Sequence, residues 1–273
     1  MREVQKTLGR EVDFTYDPPD YVPPARVITD SKIILRILRD STSYTILWSR
    51  PVRQLRMHRH TAGGSSPGAI KQQKLLRQAV LGPKDSAIHF ARLIEAITSD
   101  LTRNKSYKLL DDFEVDIVKH VAALSWTRFV ARLCYVPLKD SLNPKAKFDD
   151  RELYDKMAIV FQYVYRNEDS TRSSALKQAA LQANMDLTKE LGEVCEAIKC
   201  SSFAHVLLHR DRKVSKTDLL QNHGDELLQR LFDGGKTVEE VASLAVLLAV
   251  ELAVSGSFAV STPNHASLVW VCC

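Results

Sequence analysis

A chain of 273 residues that is 45% hydrophobic and 26% charged has the apolar content to bury a large core, which excludes a disordered sequence. Aromatics at 7% and only 10 glycines, set against long stretches of Leu, Ala and Val, disfavour a sandwich or barrel and predict a mainly α class. The formal net charge of +5 is mild, and the basic residues between Arg50 and Arg77 and between His209 and Lys216 are interrupted by apolar positions, so no nucleic-acid partner is expected.

In chain order, Pro18-Pro19 and Pro23-Pro24 forbid a regular helix. Residues 1–30 therefore read as an extended lead-in ending in a short strand, Ala25 to Ile28. Asp30 or Ser31 then caps a helix over Lys32 to Leu38. Thr61 to Gly68 is a glycine-rich loop without the Gly-Lys-Ser/Thr ending of a phosphate-binding loop. After it the spacing predicts helices at Ala69 to Leu81, Lys84 to Arg103, Phe113 to Cys134, Asp149 to Arg166, Ser170 to Lys199, Thr217 to Phe232 and Val238 to Val254.

Five cysteines, Cys134, Cys195, Cys200, Cys272 and Cys273, are odd in number and form no paired CxxC framework, which argues for a reducing compartment. The opening MREVQKTLGREVDF is charged and has no apolar core, so no signal peptide is expected and the predicted location is cytoplasmic. Val241 to Val260 is the membrane candidate. Glu251 and Ser255-Gly256-Ser257 interrupt it, and it reads instead as a buried central helix with Glu251 either paired or exposed. His205 and His209 are four apart, and His58 and His60 alternate, but neither pair has a third ligand at suitable spacing, so no metal site is predicted.

The most informative stretch is Lys105 to Asp169. In its first helix Ile117, Val118, Val121, Leu124, Phe129, Val130 and Leu133 return to one face. Val136-Pro137-Leu138-Lys139 must end that helix, Asn143-Pro144 repeats the break, and the next helix restarts at Asp149 or Asp150 with Leu153, Tyr154, Met157, Val160 and Phe161 on its apolar face.

This run of DIVxxVxxL, PLK and NPxxxFxxxELYxxMAxxF resembles the cytochrome P450-like domain of the fungal psi-factor-producing oxygenases, also called linoleate diol synthases. Weaker likeness continues through NHGDELLQRLFDGGKTVEEVA from Asn222 to Ala242, and upstream at Val27 to Tyr44 and Ser66 to Val80. The resemblance implies a mainly α, partial P450-like helical domain with little β structure. It also implies haem as cofactor, a fatty acid or fatty-acid hydroperoxide as substrate, hydroperoxide isomerase or monooxygenase chemistry in oxylipin biosynthesis, and peripheral lipid association. Residues 31–254 would form that domain and 255–273 a divergent tail.

Site residues follow from the same resemblance. The helix after the glycine loop crosses the haem in the family, and there Lys71, Lys74 and Arg77 either face the haem propionates or form a solvated basic face. Thr237 and Glu240 make a capping box at the start of the central helix. The family's Ala-Asn-Gln, whose amides steer the peroxide oxygen, falls at or next to Gly256 and Ser257, which cannot replace a carboxamide. Cys272 and Cys273 lack the Phe-x-x-Gly surroundings of the family's thiolate ligand, so neither is expected to bind iron, as in a truncated gene model. The alternative is a non-catalytic helical remnant that holds a hydrophobic ligand.

Overall fold

The structure is a computed structural model that describes residues 14–16, 25–27, 30–33, 49–55, 57, 67–82, 85–110, 112–139, 144–167, 170–208 and 222–261. It is mainly helical: α1 (Ser49–Gln54), α2 (Pro67–Leu81), α3 (Ser86–Lys105), a π-helical segment (Ile117–Ala122) that runs on as α4 (Ala123–Leu133), α5 (Asp150–Tyr165), α6 (Ser170–Leu208), α7 (Asn222–Asp233) and α8 (Val238–Ser261). The β structure among the described residues is two antiparallel hairpins, β1 (Phe14–Tyr16) with β2 (Ala25–Val27) and β3 (Tyr107–Leu109) with β4 (Asp112–Glu114). Asp30, not Ser31, caps the turn that follows β2, its carboxylate accepting from the Lys32 and Ile33 backbone N–H groups at 2.7 and 3.0 Å. Residues 34–38 and most of the Thr61 to Gly68 loop lie outside the described residues.

The helix ends follow local chemistry. Asp149 accepts from the N–H groups of Arg151 and Glu152 at 2.9 and 2.8 Å, and Glu152 reaches back to the Asp149 N–H at 3.1 Å, a complete capping box for α5. Thr237 and Glu240 make the predicted second box at α8, with bonds of 3.2 and 3.0 Å. At the end of α4 the Val136 N–H bonds the Ala131 carbonyl at 2.7 Å while Tyr135 takes φ of 58°, a Schellman-type closure with tyrosine where glycine is usual. Beyond Pro137 the chain is extended, as its prolines require: Leu138 bridges Phe148, and the Lys139 N–H bonds the Phe148 carbonyl at 2.8 Å.

Three predicted helix boundaries are corrected. The helix expected from Phe113 begins at Ile117, because Tyr107 to Glu114 fold into the β3–β4 hairpin, where the Tyr107 hydroxyl donates to Glu114 at 3.1 Å. Asp116 then caps the new start by accepting from the Lys119 N–H at 2.9 Å. The first turns wind as a π-helix, which carries more residues per turn, and at its start Ile117 and Val118 are 60% and 56% exposed. Second, α8 does not stop at Val254 but crosses Ser255-Gly256-Ser257 and reaches Ser261. Packing on Gly256 and an internal bond from the Ser257 hydroxyl to the Val254 carbonyl, 2.7 Å long, outweigh the weak helix propensity of these residues. The α6 helix likewise runs past Lys199 to Leu208.

The core forms around α8, which contacts the π segment, α4, α5, α6 and α7. Val241, Leu244, Leu247 and Val250 on it are essentially inaccessible, so the apolar run read from the sequence is a buried central helix. Each such side chain stabilises the fold by about 1.5–3 kcal/mol relative to exposure. Among the described residues no helix is long and apolar enough to cross a membrane. The shared layer between α4 and α5 contains Phe129 (4% exposed) and Met157 (0%), with Trp126 and Phe161 packed at its margin. Arg128 ties three helices together, its guanidinium reaching Asp150 of α5 at 2.7 Å and Asp100 of α3 at 3.3 Å.

Candidate functional site

The C-terminal half of the central helix carries Glu251, Ser255, Gly256 and Ser257. Glu251 accepts a short hydrogen bond from the Tyr165 hydroxyl of α5, which resolves the alternatives left by the sequence in favour of a paired carboxyl. Burial raises its pKa, and the Tyr165 hydroxyl pulls it partly back. Two turns on, the Ser257 hydroxyl lies 3.3 Å from the hydroxyl of Tyr154, also on α5. Between them Gly256 faces the indole of Trp126 so closely that a Cβ built there would fall 2.2 Å from indole Cδ2. These tyrosine partners carry no sequence signal: Tyr154 reads as an apolar-face position of an amphipathic helix, and Tyr165, eleven residues on, lies outside the face read from the sequence.

The predicted basic triplet is elsewhere. Lys71, Lys74 and Arg77 share the exposed face of α2, whose opposite face sends Gln72, Leu75, Leu76 and Ala79 inward. Among the described residues α2 packs on α3 and α7 and does not touch α8, so the structure does not bring the triplet together with Gly256 and Ser257. The seam between α2 and α7 holds Arg230, which donates from Nε to the Ala79 carbonyl at 2.9 Å.

A haem-thiolate centre needs a cysteine that ionises readily and a haem-facing loop to present it. Of the described cysteines, Cys134 and Cys195 are buried in the core, and burial pushes both thiols up to about 12. Cys134 is a neutral donor to the Ala245 carbonyl at 3.7 Å. Cys200 is exposed on the helical surface of α6. The described cysteines therefore do not fit a haem ligand set, while Cys272 and Cys273 lie outside the described residues, as do His58, His60 and His209. Between α4, α5, α6 and α8 a cavity of about 10 Å³, lined by Val130, Phe148, Met157, Glu190 and Val246 among others, has room for one water and not for a cofactor. Among the described residues no group of His, Cys, Asp and Glu could hold a metal ion.

The mainly helical fold around one apolar helix belongs to a chain whose relatives are fungal fatty-acid oxygenases. It is 28% identical over 258 residues to psi-producing oxygenase A of Aspergillus fumigatus, covering 90% of this chain and 23% of that protein. It is 28% identical over 253 residues to a bifunctional dioxygenase (DOX)-epoxy alcohol synthase (EAS) of Fusarium oxysporum, covering 90% of this chain and 19% of the relative. With the 7,8-linoleate diol synthase of Pyricularia oryzae it shares 24% over 242 residues, 82% of this chain and 20% of the other. The chain thus spans about a quarter or less of the length of these curated relatives. No protein-family model matches it. The relatives are the psi-producing oxygenases and linoleate diol synthases that the Lys105 to Asp169 stretch resembles.

Proposed function

We propose that this chain forms the early helices of a cytochrome P450-like domain in a fungal fatty-acid oxygenase of oxylipin biosynthesis, acting as a hydroperoxide isomerase or monooxygenase. The observation that supports this is the extent of the relationship, which covers 90% of the chain in an oxygenase of Aspergillus fumigatus and so includes the Pro137 linker. A fatty acid or its hydroperoxide is the substrate on this proposal, haem the cofactor, and the cytoplasm, with lipid association, the setting. Lys71, Lys74 and Arg77 would supply the positive charge for haem propionates, since all three lie exposed on one helix face. No described cysteine fits the thiolate ligand.

A second function rests on different observations. Gly256 and Ser257, at the positions of the family's amide pair, are occupied by local packing: the glycine lies under Trp126, and the serine hydroxyl turns back to Val254 and across to Tyr154. That arrangement favours a non-catalytic helical protein able to hold a hydrophobic ligand. Mixing the purified chain with haemin and with linoleate separates the two. A carbon monoxide difference band of the thiolate type supports the oxygenase, and its loss in Cys272→Ser or Cys273→Ser would overturn the expectation that neither cysteine binds iron. Saturable linoleate binding with no such band supports the binding protein. Absence of both the band and linoleate binding overturns both readings.

A further inference from the structure

From Val241 to Ser261 the central helix carries one charged residue, Glu251. The residue is half-buried where α8 meets the last turn of α5, and burial is the main influence on its carboxyl. There the Tyr165 hydroxyl bonds it, and the Tyr165 ring is fixed in turn by Phe161, with centroids 4.8 Å apart. A neutral carboxyl can remain in such a seam with one hydroxyl partner. A carboxylate there loses much of its hydration and, among the described residues, gains no cation in return, so it draws water or separates the helices.

We infer that Glu251 and Tyr165 form a proton-linked latch between α5 and α8, closed when Glu251 is neutral and loosened when it is charged. Among the described residues the other titratable groups near this seam are few. Tyr154 of α5 sits further along, at Ser257, and Glu190 of α6 lines the small cavity beside Val246 and Ala249. From α4 the neighbour at this end of α8 is the uncharged Trp126. The buried residues of α7 and the π segment, Leu227, Leu228, Leu231, Val121 and Ala122, are apolar. Burial and the Tyr165 hydroxyl are the influences that move the carboxyl, and burial is the larger.

The sign follows from linkage. The folded chain holds the Glu251 proton more tightly than the unfolded chain, whose carboxyl titrates at the ordinary value of about 4.5. Stability is therefore highest below that value, falls as pH rises toward the raised folded value, and levels off above it.

The test is the thermal midpoint of the whole chain from mildly acid to mildly alkaline pH, with hydrogen exchange of 161–165 and 248–254 read against α3 and corrected for intrinsic rate. In the parent chain the midpoint falls with rising pH and these two segments lose protection ahead of α3. Glu251→Gln, which keeps volume and hydrogen-bonding capacity, removes that part of the fall and keeps the segments protected. Tyr165→Phe removes the hydroxyl that stabilises the charged form, so its fall extends to higher pH. A parent-like profile in Glu251→Gln, or in Tyr165→Phe if the glutamine variant does not fold, overturns the latch.

Discussion

Trp126 and Gly256 fit as ring and gap where α4 meets α8. A Cβ at Gly256 would sit 2.2, 2.4 and 2.6 Å from indole Cδ2, Cε2 and Cε3, distances that no side chain tolerates. The indole then stands edge to face on Phe129 at 5.7 Å, and Phe129 on Phe90 at 5.5 Å, so one aromatic series links α8 through α4 to α3. Glycine within a helix usually costs about 0.5–1 kcal/mol relative to alanine, and here the approach of the indole requires it.

Gly256→Ala is the direct test of that contact. On helix propensity alone the alanine would stabilise by about 1 kcal/mol, whereas forcing a methyl into the indole should cost about 1–3 kcal/mol by overpacking. The expected outcome is a net loss in chemical denaturation, relieved when Trp126 is also replaced by alanine. A simple gain in stability would show that the indole moves aside freely.

Phe129 is the buried centre of the same series and of the α4–α5 layer. Phe129→Ala should cost about 3–5 kcal/mol, as for an aromatic in a close-packed interior. Val118→Ala, one element earlier and 56% exposed, should change stability by less than about 0.5 kcal/mol, although the sequence pattern puts both residues on one face. A loss below about 1 kcal/mol at Phe129 would remove the physical support for the paired helices around Pro137.

The contrast between those two residues shows where sequence was informative. Apolar spacing found the helices from α2 to α8 but not the six-residue α1, and two capping boxes and a proline linker were readable because each depends on residues within a few positions of one another. The π winding was not readable, because it alters the backbone without altering composition. At the candidate site, Gly256 and Ser257 were located by resemblance, but what they do depends on Trp126 and Tyr154, more than 100 residues away in the chain. Glu251 could be recognised as anomalous in an apolar helix, yet only the fold supplies Tyr165 as its partner.

Leu110 joins β3 to β4 with φ of 56° and its side chain 88% exposed, next to Phe113 at 73%. A leucine in the left-handed region costs roughly 1–2 kcal/mol that asparagine or glycine largely avoids. Its side chain, like those of Phe113, Ile117 and Val118, is exposed apolar surface, and such surface promotes association. Leu110→Asn should therefore raise stability by up to about 1 kcal/mol and increase the monomeric fraction in sedimentation. Phe113→Thr, which keeps a residue suited to a strand, should increase that fraction without the gain in stability. If Leu110→Asn lowers stability instead, the leucine is held by contacts that offset its strained backbone, and the hairpin tip is not the free apolar surface its exposure implies.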